Sequence, residues 1–259
     1  MPDLQPLPSQ MISAHVSAAL AEDWGRLGDI TSAAVIDTGA TARGVIRARE
    51  DGVLAGLAFA QTAFTLADER LKQDAHVADG ESLTAGMDVM TITGPAIALL
   101  GAERVALNFL GHMSGIASQT AQLSALVAHT AARICDTRKT TPGLRAVEKY
   151  AVRAGGGFNH RFGLDDAILI KDNHIAVAGG VTAAITRAQS NVGHMMRIEV
   201  EVDTLDQLDE ALAAGADILL LDNMPPETLK EAVARIDGGA VTEASGRVDA
   251  ASVTAIAEA

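Results

Sequence analysis

The sequence has little cysteine, few aromatic residues and no long apolar run. Cys135 is its one cysteine, which excludes an internal disulfide and a metal site built from clustered cysteines. Aromatic residues make up 3% of the chain and the formal net charge is −13, a composition that disfavours general nucleic-acid binding. No apolar run approaches the roughly 18 residues needed to cross a bilayer.

The 259 residues, 48% of them hydrophobic, suffice for one large α/β domain or two smaller ones. The segment Met1–Met11 is polar and shows no signal-peptide pattern, so a cytoplasmic protein is expected. Positive charge gathers in one place, since six basic residues stand against one acidic residue from Thr137 to Gly163. In an acidic chain, such a basic island is expected to bind a small, multiply charged anion.

The chain up to about residue 111 mixes helix and strand patterns. Residues 9–24 and 95–128 predict helices, 43–48 and 53–59 predict short strands, and 77–93 predicts β-like runs between glycine turns. The pattern indicates an α+β domain.

Beyond that point, short β-rich runs alternate with helical segments. The runs are 132–135, 166–170, 197–202, 217–221 and 240–244, and the helices are 143–154, 180–190, 204–214 and 226–236. Thr204 and Gln207 form a capping-box signature, and Pro226 stands where a helix often begins. This alternation predicts a parallel sheet or a (β/α) barrel, with about five of the eight units of a complete barrel.

Charged or small polar residues stand at the end of each predicted strand of this second part. In chain order they are Thr137, Arg138 and Lys139, then Lys171, Glu201, Asp222, and Ser245 with Gly246. The carboxyl ends of barrel strands meet on one face and supply catalytic groups. One such residue alone is more often solvated or a helix cap, but five successive strands predict a site.

The residue types indicate the chemistry of that site. Arginine and lysine suit carboxylates and phosphates. Glu201 and Asp222 would hold Mg²⁺ or accept hydrogen bonds from sugar hydroxyls. The Ser245-Gly246 loop can present backbone N–H groups to a phosphate. The combination predicts a polycarboxylate and a phosphorylated sugar with a metal ion.

Several other polar or aromatic residues are interpreted as structural. Arg145, Lys149 and Arg153 recur at helical spacing and predict a solvated helix face. The glycines at 155–157 lack the P-loop pattern and predict a tight connection. Tyr150 is expected to pack in the interior.

The stretch DTRKTTPGLRAVEKYAVRAGGGFNHRFGLDDAILIKDNHI, residues 136–175, strongly resembles the quinolinate phosphoribosyltransferase family. Further matches follow the family in order along nearly the whole chain, at residues 22–32, 102–118, 199–208, 218–224 and 243–246. The resemblance implies transfer of phosphoribose from phosphoribosyl pyrophosphate to quinolinate with loss of CO₂. It implies Mg²⁺ as cofactor, and nicotinate mononucleotide in de novo NAD synthesis as product.

The resemblance also implies the architecture. The fold would be an N-terminal α/β sandwich, residues 1–113, joined to an incomplete α/β barrel, residues 114–259, that carries the active site. The chain would form a homodimer, or a larger assembly of dimers, with the site at the subunit interface. The family pattern continues past residue 259 with a further strand and a second glycine-containing loop.

Residue by residue, the resemblance implies two binding regions. The quinolinate pocket would consist of Arg104 from the neighbouring subunit, Thr137, Arg138, Lys139, His160, Arg161 and Lys171. Phosphoribosyl pyrophosphate would be bound by Glu201, Asp222, Ser245, Gly246 and Arg247, with Glu201 and Asp222 also holding the metal. The catalytic groups would be Lys139, Lys171, Glu201 and Asp222.

One departure and two rival functions stand beside this reading. Arg247 replaces the glycine or small polar residue usual after EASG, so it could block a positive φ or add a cation near the phosphate. Lys171 at a strand end could instead form a Schiff base, as aldolase lysines do. The chain could also be a paralogue that binds an anion without turnover, since a molybdenum-transport-associated relative shares part of the pattern.

Overall fold

The computed structural model describes residues 4–259 and divides them into two compact units. The first unit comprises the chain up to Ser124 together with Ile134–Asn159. The second comprises Ala125–Arg133 together with His160–Ala259. Each unit has its own core of buried apolar side chains.

The first unit is a mixed α/β structure. Its elements are α1 Ser9–Trp24, α2 Ile30–Val35, β1 Thr41–Arg47, β2 Gly52–Val53, α3 Leu57–Ala67, β3 Lys72–Ala75, β4 Ser82–Leu83, β5 Asp88–Pro95, α4 Ala96–Leu126 and α5 Arg145–Ala154. Strands β1, β5 and β3 form an antiparallel sheet in that order, and β2 pairs with β4. The predicted helices over 9–24 and 95–128 are confirmed as α1 and α4.

The predicted strand over 53–59 is wrong, because the chain turns into helix α3 after β2. Gly56 takes a φ of 99°, and a Cβ there would lie 2.8 Å from the Met113 sulfur. The Asp79 carboxylate accepts the backbone N–H groups of Gly56 and Leu57 at 3.1 and 3.0 Å. These donors at the start of α3 are therefore satisfied by a residue far along the chain.

The second unit is built on a parallel sheet. Its elements are β6 Ile168–Ile170, α6 Asp172–Ala178, α7 Val181–Asn191, β7 Ile198–Val202, α8 Leu205–Ala213, β8 Ile218–Asp222, α9 Pro226–Ile236, β9 Val241–Ser245 and α10 Val253–Ala257. The four strands lie in the order β6-β7-β8-β9, all parallel. The predicted α/β class, with an N-terminal sheet domain and a C-terminal parallel-strand domain, is confirmed.

Helix starts in this unit follow the sequence signals. The Thr204 hydroxyl accepts the N–H of Gln207 at 3.2 Å, and the Gln207 side chain accepts the N–H of Asp203 at 2.8 Å. Helix α9 begins at Pro226, as predicted. These local contacts fix where α8 and α9 leave the ends of β7 and β8.

One prediction for this part of the chain is wrong, and one helix was not predicted. Residues 132–135 form no extended strand, and pairing there is limited to one bridge between Cys135 and Phe158. Helix α6, which follows β6 directly, was not predicted. Among residues 4–259, no helix is both long enough and apolar enough to span a membrane.

The three glycines at 155–157 are required by close packing in the first unit. A Cβ on Gly155 would lie 2.2 Å from the Ala117 carbonyl oxygen, and one on Gly157 would lie 2.7 Å from Thr120 Cγ2. Gly156 has a φ of 85°. The end of α5 thus packs directly on the α4 backbone, which explains the tight connection predicted from the triplet.

Gly155→Ala is expected to lower the free energy of unfolding by roughly 1–3 kcal/mol, because the added methyl group meets backbone that cannot move aside. The control is Gly111→Ala in the middle of α4, where nothing lies within 4 Å of an added Cβ. This control should raise the free energy of unfolding by roughly 0.5–1 kcal/mol. Urea denaturation of both variants tests the packing, and equal shifts would contradict it.

Candidate active site

Four predicted site residues stand at the carboxyl ends of adjacent strands in the second unit. Ile170 pairs with Val200, so Lys171 comes level with Glu201. Glu201 in turn pairs with Leu220, and Asp222 pairs with Ser245. Because residues two apart on a strand share a face, these side chains all lie on one face of the sheet. The convergence predicted from the strand ends is present within this unit.

Lys171 and Glu201 form an ion pair between the ends of β6 and β7. The Glu201 side chain is 13% exposed and that of Lys171 is 44% exposed, so the pair is reachable from solvent on the lysine side. The Lys171 backbone N–H donates to His174 Nδ1 at 2.9 Å, which fixes the turn into α6. Glu201 therefore balances the charge of Lys171 in the structure as it stands.

Asp222 is held by the loops that follow β8 and β9. The Ser245 hydroxyl donates to Asp222 Oδ1 and the Asn223 side-chain amide donates to Asp222 Oδ2, each at 2.5 Å. The Asn223 backbone N–H donates to the Ser245 carbonyl at 2.9 Å. A Cβ on Gly246 would lie 2.2 Å from Asn223 Oδ1. This contact and its φ of 101° explain why glycine occupies position 246.

Arg247 adopts the positive φ that its bulk could have prevented. Its φ is 50°, in the left-handed region that L-residues occupy at a cost of roughly 1–2 kcal/mol. Its side chain is exposed beside the loop of Ser245 and Gly246. The backbone therefore adopts the turn despite the arginine, and the guanidinium is accessible to an anion in solvent.

A partly buried His-Glu-Glu cluster lies on the same face of the sheet. His160 Nε2 is 2.9 Å from Glu199 Oε2 and 3.5 Å from Glu243 Oε2. Glu199 lies two residues before Glu201 on β7, and Glu243 lies two residues before Ser245 on β9. Burial, and secondly the negative charge of Glu199, raise the pKa of Glu243, although His160 acts in the opposite direction.

Sequence reasoning did not identify Glu199 and Glu243 as functional residues. The available signal was the two-residue period of strands, which places Glu199 on the face of Glu201 and Glu243 on the face of Ser245. Three atoms, one each from His160, Glu199 and Glu243, lie within 4.8 Å of one another.

Arg161 is anchored next to this cluster. Its Nη1 donates to the Ala167 carbonyl at 3.0 Å, while its Nε is buried and has no hydrogen-bond partner within the described part of the chain. The following turn is held by Asp166, which accepts the N–H groups of Phe162 and Gly163 at 2.5 and 3.1 Å. Burial works to raise the pKa of Asp166, but these hydrogen bonds outweigh it and the pKa is lowered.

In the first unit, Thr137, Arg138 and Lys139 form a short loop. The Thr137 hydroxyl accepts the Lys139 N–H at 3.0 Å. Arg145 Nη2 donates to the Arg138 carbonyl at 3.5 Å and thereby ties the loop to α5. Arg138 Nε is buried and, among residues 4–259, has no hydrogen-bond partner. The Lys139 side chain is exposed.

The loop is anchored by an ion pair between Asp136 and Lys149. The Lys149 side chain is 3% exposed and that of Asp136 is 7% exposed. The interpretation of Lys149 as part of a solvated helix face is therefore wrong. Helical spacing showed that these cations share a face, but α5 turns Lys149 inward to meet the carboxylate just before the loop.

Arg104 and Tyr150 also belong to the first unit. Arg104 is exposed on α4. Tyr150 is half-buried and donates to Asp79 at 2.8 Å, so it is packed as predicted, and burial, with the nearby Asp79 charge, raises its pKa. Each unit thus contributes its own group of predicted site residues: Arg104 and Thr137–Lys139 in the first, and His160, Arg161, Lys171 and the residues of β7–β9 in the second.

A mixed α/β unit, followed by a unit whose parallel strands carry Lys171, Glu201 and Asp222 on one face at their carboxyl ends, is typical of an α/β enzyme. Residues 29–114 match the N-terminal domain of quinolinate phosphoribosyl transferase, and residues 116–259 match its C-terminal domain. The chain belongs to the quinolinate phosphoribosyl transferase family.

Individual relatives agree with this assignment. A probable nicotinate-nucleotide pyrophosphorylase [carboxylating] of Bacillus subtilis is 45% identical over 234 residues, which cover 90% of this chain and 80% of the relative. The enzyme of that name from Mycobacterium leprae is 44% identical over 239 residues, covering 89% and 83%. The solved nicotinate-nucleotide pyrophosphorylase of Francisella tularensis superposes with a TM-score of 0.94 at 38% identity, covering 100% of this chain and 91% of that one.

Lys149→Ala is expected to lower the free energy of unfolding by roughly 3–5 kcal/mol, because it leaves the Asp136 carboxylate buried without its partner. The matched control is Lys230→Ala, at an exposed lysine of helix α9, whose effect should stay within about 0.5 kcal/mol. Denaturant titration followed by circular dichroism measures both. If the two variants were equally stable, the anchoring role of the ion pair would be refuted.

Proposed function

We propose that this chain transfers phosphoribose from phosphoribosyl pyrophosphate to the ring nitrogen of quinolinate, releasing pyrophosphate and CO₂. The product is nicotinate mononucleotide, and the reaction belongs to NAD biosynthesis. Family membership over nearly the whole chain supports this reaction. The observation that carries the proposal is the lysine and the two carboxylates on one face of the parallel sheet, at Lys171, Glu201 and Asp222.

Arg138 and Arg161 are the proposed ligands of the quinolinate carboxylates. In each arginine the Nε–H is buried without a partner in the described chain. A buried donor left unsatisfied costs roughly 1–3 kcal/mol, which a substrate carboxylate would recover. Arginine can also bind a carboxylate through two parallel hydrogen bonds, which fixes the ring in one orientation. Thr137, Lys139, His160 and Lys171 are proposed to complete this pocket.

The phosphoribosyl pyrophosphate site is proposed at Glu201, Asp222 and the Ser245–Arg247 loop. Glu201 and Asp222 share one face of adjacent strands, and their carboxylate oxygens are the ligand type that Mg²⁺ prefers. Both residues would hold Mg²⁺, which supplies charge neutralisation at the pyrophosphate when bound. Gly246 allows the left-handed turn of the loop, whose backbone N–H groups are proposed to bind a phosphate, and the exposed Arg247 adds a positive charge beside it.

The residues of the chain are proposed to act mainly by charge and orientation. Arginine contacts hold the quinolinate nitrogen toward C1 of the ribose, which makes the attack effectively unimolecular. Lys139 and Lys171 stabilise negative charge that develops on the leaving pyrophosphate. Once the nitrogen carries the ribose, the ring is cationic, and its positive nitrogen stabilises the electron pair left at C2 when CO₂ departs. A proton from water then bonds to C2 and gives nicotinate mononucleotide.

The geometry disfavours the Schiff-base rival. Lys171 is bound to Glu201 as an ion pair, which ties up the nitrogen that would have to attack a carbonyl as a free amine. The second alternative, a protein that binds an anion without turnover, predicts binding but no product. An activity measurement therefore separates it from the proposed enzyme.

The proposed reaction is tested by incubating the protein with quinolinate, phosphoribosyl pyrophosphate and Mg²⁺ and separating the products by chromatography. Nicotinate mononucleotide should form from quinolinate, and nicotinate in its place should give none. Arg138→Ala should lower kcat/KM by roughly ten- to a hundredfold, since hydrogen bonds to charged groups are worth about 1.5–3 kcal/mol. Wild-type kcat/KM in this variant would remove Arg138 from the site, and absence of product with bound quinolinate would favour the anion binder.

We further propose that the chain acts as a homodimer in which Arg104 enters the quinolinate pocket of the partner. Its exposure on α4 and its match to the family residue support this role. Arg104 is then needed in one subunit while Arg138 is needed in the other.

Mixing two variants of lowered activity tests this arrangement. Arg104→Ala and Arg138→Ala, denatured and refolded together in equal amounts, should recover about a quarter of wild-type activity, because half of the dimers are mixed and each mixed dimer has one intact site. Each variant refolded alone serves as the control. No recovery, with mixed dimers demonstrated by a mass-tagged subunit, would place Arg104 in the pocket of its own chain.

A further inference from the structure

The protonation state of His160 follows from its two ring contacts. The backbone N–H of Arg161 points at His160 Nδ1 over 2.8 Å. A backbone amide can only donate, so Nδ1 is the acceptor and carries no proton. In a neutral imidazole the proton then lies on Nε2, which donates to Glu199 Oε2 at 2.9 Å. His160 is thereby neutral with both ring nitrogens engaged.

Glu199, which contacts His160, is buried. The residue is 3% exposed, and its second oxygen, Oε1, is buried without a hydrogen-bond partner in the chain from residue 4 onward. Glu201 lies next to it on the same face of β7, and Ile218 is its register partner on β8. A carboxylate buried here is costly unless it receives hydrogen bonds, and His160 Nε2 lies within hydrogen-bond distance of it.

A metal ion is the obvious alternative use of three such ligands. A metal bound at Nε2 would need the lone pair of that nitrogen, and the proton would then have to sit on Nδ1. The Arg161 N–H occupies the Nδ1 lone pair, so the two requirements conflict.

We propose that Glu199, supported by Glu243, is a positioning residue that locks His160 in its neutral Nε2–H form and thereby orients Arg161 toward quinolinate. The path runs from the Glu199 carboxylate through the ring to the Arg161 backbone N–H, and Arg161 is the proposed carboxylate ligand. His160 then shapes the pocket as an uncharged ring and not as a cation. This inference rests on the proposed quinolinate site for its kinetic consequence but not for the tautomer.

The kinetic test compares Glu199→Ala with Glu199→Gln. Loss of the acceptor in Glu199→Ala frees the ring and should raise the KM for quinolinate about tenfold, roughly the value of one charge-assisted hydrogen bond. The KM for phosphoribosyl pyrophosphate should change less than about twofold, within the range of a near-neutral substitution. Glu199→Gln keeps an oxygen that can accept the Nε2–H and should restore most of the quinolinate affinity.

The control for removing a glutamate is Glu227→Ala at the exposed start of helix α9, which should leave both KM values unchanged. Equal KM increases for both substrates in Glu199→Ala would indicate general loosening and overturn the positioning role. A failure of Glu199→Gln to restore quinolinate affinity would also overturn it.

The tautomer is tested without substrate by ¹⁵N NMR of protein labelled at histidine, with His160→Gln used to assign the signal. The proposal expects an unprotonated Nδ1, a protonated Nε2, and a shift toward a tautomer mixture in Glu199→Ala. Two protonated ring nitrogens near neutral pH, or a change of the His160 signal on adding Zn²⁺, would overturn it. Because the ligand-free protein is measured, an inactive protein with the expected tautomer would count against the proposed function alone.

Discussion

In-register pairing of four parallel strands is the constraint on which the functional part of the molecule depends. The ladder that joins Ile170 to Val200, and Glu201 to Leu220, sets which residues come level at the sheet edge. Alternation along each strand then divides the side chains between two faces. A slip by one residue would exchange Glu199 and Glu201 for the buried Val200 and Val202 and would destroy both the site and the core.

Several carboxylates of this acidic chain are buried or nearly buried and pair with a basic side chain or with a histidine. Asp136 anchors Lys149 next to the basic loop, and Glu201 pairs with Lys171 at the sheet edge. Glu199 has its partner in the neutral ring of His160. Each of these carboxylates fixes the position of a group that lies in or beside the proposed pocket. Arg138 and Arg161 differ, because each keeps a buried Nε–H that no residue of the described chain satisfies. These two arginines are therefore the groups best prepared to receive an external anion.

The fold could be predicted from the sequence where local signals decide the structure. The capping pair Thr204 and Gln207, Pro226 and the β-rich runs after residue 166 predicted helices α8 and α9 and the four strands of the second unit. The failures depend on contacts distant in sequence. Helix α3 begins at Leu57, directly after Gly56, because Asp79 accepts the backbone N–H groups of both residues, and no local pattern reveals this contact. The burial of Lys149 could not be predicted either, because it depends on an ion pair with Asp136, and helical spacing does not show where that carboxylate lies.

The candidate site was predicted unevenly for a related reason. Strand-end positions singled out Lys171 and Asp222, because a polar residue directly after an apolar run is visible in the sequence, and Glu201 was included because it lies near the end of its strand. Glu199 and Glu243 lie inside strands, where an alternating acidic residue looks like an ordinary solvent-facing one. Their role appears once His160 is seen between them.

The central claim is that the basic residues recognise both carboxylates of quinolinate. Isothermal titration of the protein with quinolinate and with nicotinate, which lacks one carboxylate, tests this directly. The account predicts that quinolinate binds at least about tenfold more tightly, corresponding to about 1.4 kcal/mol, and that Arg138→Ala removes most of the difference. Equal affinities for the two ligands in the wild-type protein would contradict the account.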